Sequence, residues 1–138
     1  MKGEWKSAAG GNVVAALAAP DRGAPDAWLS ARLDEIRQAI HRAPNRTRHC
    51  MNHALIAIGG YRPALRDRAI AVAEAIGKVE VDHGETSCKT PAAVPYIRKM
   101  AQRRTVKRKA AARKTPPKKA KKVSRKPARR PAAARRRR

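Results

Sequence analysis

The chain has 138 residues and a formal net charge of +24, with 34 Lys and Arg residues against 10 Asp and Glu residues. This length excludes a large multidomain enzyme, and the lack of Phe beside only two Trp and two Tyr predicts a modest, aliphatic core. The longest uncharged run, residues 7–20, is too short to span a bilayer, and the charged start is unlike a signal peptide. We therefore expect an intracellular protein.

The first helix is predicted over residues 4–19. Its apolar residues recur at a helical period, although two adjacent glycines in the middle of the segment weaken the pattern. A cluster of Pro and Gly at residues 20–25 then predicts a turn. The stripe that we expect to face the core consists of Trp5, Ala9, Val13 and Leu17.

The second helix, predicted over residues 27–42, has the clearest apolar stripe in the chain. Asp26 is placed to cap its N-terminus, and Ala43-Pro44 is expected to stop it. The residues predicted to be buried are Leu29, Leu33, Ile36 and Ile40.

A third helix is predicted to start at a capping Asn45 and to end at Gly59-Gly60. Its core face is predicted to hold Met51, Ala54, Leu55 and Ile58. At 100° per residue, the opposite and exposed face is predicted to collect Arg46, His49, Asn52 and His53.

A fourth helix is predicted to begin with Pro63 in its first turn and to close at Gly77, with Leu65, Ala69, Val72 and Ile76 buried. Residues 78–91 predict a loop rather than a strand. A last helix, over residues 92–103, is expected to pack Val94, Ile97 and Met100 against the preceding pair. The short connections predict an all-α fold made of antiparallel helix pairs.

The charge divides the chain into two predicted domains, residues 1–102 and 103–138. The second part contains 19 basic residues and no acidic residue, which leaves a net charge of +5 for the first part. Its composition predicts a disordered tail that binds polyanions, because it cannot bury enough apolar surface to offset the entropy of ordering. The tail is similar in composition to the tails of linker-histone-like proteins.

Three segments carry a more specific pattern: NRTRHCMN at residues 45–52, IAIGGY at residues 56–61 and GKVEVDHGETSCKTP at residues 77–91, followed by YIRK at residues 96–99. Together they closely resemble the C-terminal part of HEAT-like DNA alkylation repair proteins, of the alkylpurine DNA glycosylase superfamily. The similarity extends less distinctly over residues 4–42. It implies a short α-solenoid of paired antiparallel helices whose concave, basic groove holds duplex DNA.

The resemblance also has consequences for catalysis. Active members of the family carry their catalytic carboxylate on helices upstream of the matching part, so we expect no catalytic residue in this chain. They also commonly show Gly-Trp-Ala-Leu where this chain has Asn52-His53-Ala54-Leu55. His53 thus replaces an aromatic residue of the groove.

The same residues suggest two other types of chemistry. His49 and His53 have a spacing compatible with a metal, with Cys50, His83 and Cys88 as further ligands. Because a loop separates His83 from Cys88, we favour histidines that line a DNA-facing surface over a metal site. We predict neither a metal nor a cofactor. Both cysteines are expected to be reduced, and Cys88 to be buried rather than nucleophilic.

The predicted function is that of a DNA-binding protein related to DNA alkylation repair, without glycosylase activity of its own. An active or partner-completed glycosylase and a linker-histone-like compaction protein are the alternatives. The expected partner is DNA, contacted mainly at its phosphates, with RNA as the alternative. We expect no membrane association and a cytoplasmic, nucleoid-associated location. The predicted DNA-binding residues are Arg46, Arg48, His49, Asn52, His53, Lys89, Arg98, Lys99, Arg103, Arg104, Lys107, Arg108, Lys109, Lys118, Lys119, Lys121 and Lys122.

Overall fold

A computed structural model describes the backbone of residues 2–114 and the side chains of residues 8–107 and 110. Across residues 2–114 the chain is all-α, as predicted, with five helices and no strand. None of these helices combines the length and the apolar character needed to cross a membrane. The helices are α1 (Lys2–Leu17), α2 (Asp26–Ala39), α3 (Asn45–Tyr61), α4 (Arg66–Ile76) and α5 (Ala93–Lys114), with 3-10 turns at Ile40–Arg42 and Pro63–Leu65.

Helix α3 is the centre of the fold, because all four other helices pack against it. Its second half is buried on nearly every side, from Ala54 to Gly60. The short connections predicted that helices adjacent in sequence form pairs, but the main partner of α1 is α3 rather than α2. The core therefore surrounds one helix.

The predicted stripe of α1 is wrong. Val13, which we expected to face the core, is 55% exposed, whereas Ala8, Ala15 and Ala18 are buried. The side chain of Trp5 lies outside the described residues. The physical reason is a close approach between two backbones, since a Cβ atom at Gly11 would lie 2.8 Å from the Cβ of Cys50. Only small residues fit at such a contact, so hydrophobic size was a misleading signal.

The two glycines of α1 are expected to respond to alanine in opposite directions. A Cβ at Gly10 meets nothing within 4 Å, so Gly10→Ala should stabilise the protein by about 0.5–1 kcal/mol through helix propensity. A Cβ at Gly11 lies 3.0 Å from the backbone carbon of Cys50, which cannot move aside as a side chain can. Gly11→Ala should therefore destabilise the protein by about 1–3 kcal/mol.

Urea denaturation of the two variants beside the wild type measures both effects. The two glycines are neighbours in one helix, so each variant is the matched control of the other. Equal shifts of the same sign would show that α1 does not press against α3 at Gly11.

The stripe predicted for α2 is confirmed, and that of α4 is confirmed except at Leu65, which is half-buried and lies in the 3-10 turn before the helix. Leu29, Leu33, Ile36 and Ile40 are all buried, and Ala69, Val72 and Ile76 are buried on α4. Gly77 follows α4 with a φ of +70°, which is the left-handed conformation that favours glycine at the end of a helix. Asp26 and Asn45 are each the first residue of a helix, and the N-cap positions are Pro25 and Pro44, so the two predicted caps are wrong.

The glycine pair of α3 lies inside the helix and does not end it, contrary to the prediction. The helix continues to Tyr61. A Cβ at Gly59 would lie 2.9 Å from the Cδ1 of Ile97, and one at Gly60 would lie 2.7 Å from the Cε of Met100. These glycines therefore let α5 approach α3, which their sequence position alone could not reveal.

Helix α5 is longer than predicted. Ile97 is fully buried, and Val94 and Met100 pack against the core as expected, but the helix continues past Arg103 to Lys114. Residues 96–114 contain neither Pro nor Gly and are rich in the helix formers Ala, Lys and Arg. The predicted boundary between residues 102 and 103 thus lies within α5, and residues 103–114 are helical rather than disordered. Residues 115–138 of the predicted tail lie outside the described residues.

Candidate nucleic-acid interface

The irregular linker between α4 and α5, residues 77–92, is fastened across the N-terminal half of α3. The side chain of Asn45 donates to the carbonyl of Asp82 and accepts a hydrogen bond from its backbone N–H. Arg48 donates to the carbonyls of Glu80 at 2.8 Å and Ala43 at 3.1 Å. The guanidinium of Arg48, which we predicted to bind DNA, is thus engaged in holding the linker.

Asn52 is not on an exposed face of α3, contrary to the prediction. Its side chain is 1% exposed, and its Nδ2 donates to the carbonyl of Pro91 at 3.0 Å. The helical period correctly placed Asn52 away from the apolar face of α3. It could not show that the linker covers this part of α3.

Three histidines and an arginine lie together where the linker meets α3. The rings of His49 and His83 are in an edge-to-face arrangement, with centroids 5.5 Å apart. The Nε2 atom of His83 lies 2.9 Å from the Oγ1 of Thr90. Partial desolvation lowers the pKa of the exposed His49, and the nearby His83, His53 and Arg46 lower it further. We call His49, His53 and His83 the histidine cluster.

A cleft of about 390 Å³ lies between α3 and α5 beside this cluster. His49 and His53 line its α3 side, and Tyr96 of α5 lines the other with its side chain 45% exposed. The guanidinium carbon of Arg104 lies 5.1 Å from the ring centroid of Tyr61, which also lines the cleft. Neither tyrosine was among the predicted DNA-binding residues, because only the packing of α5 on α3 brings them together.

The remaining predicted residues are distributed around this cleft and along α5. Arg46 and Lys89 are exposed, on α3 and on the linker. Arg98, Lys99, Arg103 and Lys107 are exposed on α5, whereas Arg104 is half-buried. The side chains that lie outside the described residues are Arg108, Lys109, Lys118, Lys119, Lys121 and Lys122.

The two cysteines are both free thiols, but Cys88 is exposed, so the prediction that it is buried is wrong. It lies on the linker, within the exposed run of residues 84–89. Cys50 is buried against α1, and burial raises the pKa of its thiol, which keeps it protonated near neutral pH. Within the described part of the chain, no three His, Cys, Asp or Glu side chains are grouped as a metal site requires.

Comparison with known proteins gives two relatives. An uncharacterized protein of Listeria innocua is 41% identical over 73 residues, which cover 53% of this chain and 33% of that protein. An uncharacterized protein of Listeria monocytogenes is 38% identical over 71 residues, which cover 51% of this chain and 32% of that protein. The chain thus spans about a third of the length of the curated relatives it matches. No family model matches the chain, and no solved structure matches it significantly.

Proposed function

We propose that this protein binds DNA through the cleft between α3 and α5 and the cationic surface that continues along α5. One observation carries the proposal: the last acidic residue of the chain is Glu85, and every charged residue from Lys89 to Arg138 is basic. An uninterrupted run of cations attracts the phosphates of nucleic acid and releases their condensed counterions.

The position of α5 supports a role in DNA binding for the helical part of the chain as well as for the tail. Arg98, Lys99 and Arg103 are exposed on a helix whose buried residue Ile97 fixes it to the core. Cations on a fixed helix are pre-organised, so they lose less conformational entropy on binding than cations on a flexible chain. The cleft beside them offers aromatic and imidazole side chains that suit contacts with bases or sugars.

Two triple variants of the full chain test the proposal. Arg98, Lys99 and Arg103 are replaced by Gln in one variant, and Arg22, Arg37 and Arg42 are replaced by Gln in the matched control. Both variants lose three positive charges, but the control residues lie on or near α2, which packs against α3 and α4. The α5 variant should reduce the slope of log K against log salt by about 3, since each phosphate contact contributes about 0.9.

The measurement is fluorescence anisotropy with a labelled duplex at several salt concentrations. The control variant should keep the wild-type slope. If both variants lose the same affinity, the surface of α5 has no special role, and binding depends on total charge alone. That outcome favours the compaction alternative, in which the helical body is incidental.

We further propose that the DNA-binding role belongs to alkylation repair, a proposal that rests on the sequence resemblance around residues 45–61 and 77–91. The enzymatic alternative needs a carboxylate beside the departing base. Asp82 is the best candidate, since it lies on the linker beside His49 and His83 in a second cleft. Release of free base from methylated duplex DNA that disappears in Asp82→Asn would establish the enzymatic alternative.

A further inference from the structure

Building on the proposed DNA-binding function, we infer that the histidine cluster couples DNA binding to proton uptake, so that affinity rises as the pH falls from 8 to 5.5. Three of the four histidines of the chain belong to this cluster. The lysines and arginines of the DNA-binding surface stay charged over this pH range, so they cannot produce the effect.

The cluster lies at the junction of two clefts. His49 lines both the cleft between α3 and α5 and the cleft between α1, α3 and the linker, and His83 lines the second of these. His53 lies one helical turn after His49 on α3, and Arg46 lies one turn before it. A phosphate group placed at this junction would have imidazoles on more than one side.

Among the side chains that the structure describes, few other charged groups face His49. On α3 itself the neighbours are Arg46 and His53, together with the protonated thiol of Cys50. From the linker come His83 and one carboxylate, Asp82, whose Oδ1 accepts a hydrogen bond from the N–H of Gly84. Helix α1 contributes the uncharged Asn12 to the same cleft, and α5 contributes Tyr96 to the other cleft.

The environment of His49 in the free protein disfavours its charged form. Its pKa is lowered by partial desolvation and by the positive or titratable groups His83, His53 and Arg46. A nearby phosphate has the opposite effect, because an anion within a few ångströms stabilises the imidazolium and raises its pKa. The DNA-bound state therefore holds more protons than the free state between these two pKa values.

Linkage fixes the sign of the pH dependence. A state that binds more protons is favoured as the proton concentration rises, so the association constant increases as the pH falls. Each histidine that changes fully from neutral to charged on binding changes the association constant by about tenfold per pH unit. We expect at least about a fivefold gain in affinity between pH 8 and pH 5.5 at constant ionic strength.

The experiment uses the full chain and a labelled duplex, with affinities measured by anisotropy from pH 5.5 to 8. A triple variant carries His49→Gln, His53→Gln and His83→Gln, and it should retain less than about a twofold change over this range. The fourth histidine provides the control, since the Nε2 of His41 lies 2.9 Å from the carbonyl of Ile76, outside the cluster. His41→Gln should keep the full pH dependence.

A second measurement needs no variant. Calorimetric titration of the wild-type protein at pH 6.5 in buffers of different ionisation enthalpy should show a net uptake of protons on binding. Binding that is independent of pH and takes up no protons overturns the inference and leaves the proposed function intact. A lack of binding at every pH overturns the proposed function itself. Equal pH dependence in the wild type and the triple variant also overturns the inference, because the protons then bind elsewhere.

Discussion

The affinity of this protein for duplex DNA is expected to fall by about five orders of magnitude when the salt concentration rises from 50 to 200 mM. The basis is the run of 19 cations without an acidic residue over residues 103–138. If about ten of them neutralise phosphates, the slope of log K against log salt is about −9, since each contact releases close to one counterion. Anisotropy titrations at four salt concentrations measure this slope directly.

The size of the slope shows whether or not the cationic segment neutralises the DNA backbone. A slope shallower than about −3 would show that most of the cationic segment does not neutralise the DNA backbone, contrary to the proposal. Single-stranded DNA of the same length provides a comparison, because its lower charge density reduces the slope to about −0.7 per contact. The Arg22, Arg37 and Arg42 variant is again the matched control and should follow the wild-type line.

Replacing Arg62 by Ala is expected to destabilise the protein by about 3 kcal/mol. Arg62 directly follows α3, and its guanidinium reaches the C-terminal end of α1. There Nε donates to the carbonyl of Ala18 at 2.8 Å, and Nη2 donates to the carbonyls of Leu17 at 3.2 Å and Ala19 at 3.3 Å. The last carbonyls of a helix have no partner within the helix. The substitution would leave the carbonyls of Leu17 and Ala18 at a packed contact without this donor, whereas the carbonyl of Ala19 keeps the N–H of Arg22 at 3.1 Å.

Arg68 provides the control for the substitution of Arg62. Arg68 forms a two-pronged ion pair with Asp34, at 2.9 and 2.7 Å, but its side chain is half exposed, whereas that of Arg62 is only 16% exposed. Exposed ion pairs contribute little, so Arg68→Ala should cost about 0.5–1 kcal/mol. Urea denaturation of both variants provides the measurement. Equal losses would show that the contact of Arg62 with α1 has no special role in stability.

The sequence by itself determined the helices whose apolar side chains repeat at a clear helical period. The stripe of α2, the stripe of α4 and the buried Ile97 of α5 are where the periodicity predicted them. The break between α4 and α5 was also predicted, because residues 78–91 have no consistent period. These features depend on local patterns, which a single segment carries in full.

The tertiary structure decided the features that depend on what lies next to a segment. Gly11 allows α1 to touch the backbone of Cys50, and Gly59 and Gly60 allow α5 to approach α3, although glycines in a sequence more often mark an end or a weak point of a helix. Such roles require a partner from elsewhere in the chain, so no local pattern could reveal them.

The same reason applies to the candidate interface. The sequence placed Arg46, His49 and His53 on the exposed face of α3, where the structure also has them. It could not show that residues 77–92 cross this helix, bury Asn52 and engage Arg48, while bringing His83 to His49. A helical period gives directions around one axis, and only the packing of the other segments determines which of those directions remain open to solvent.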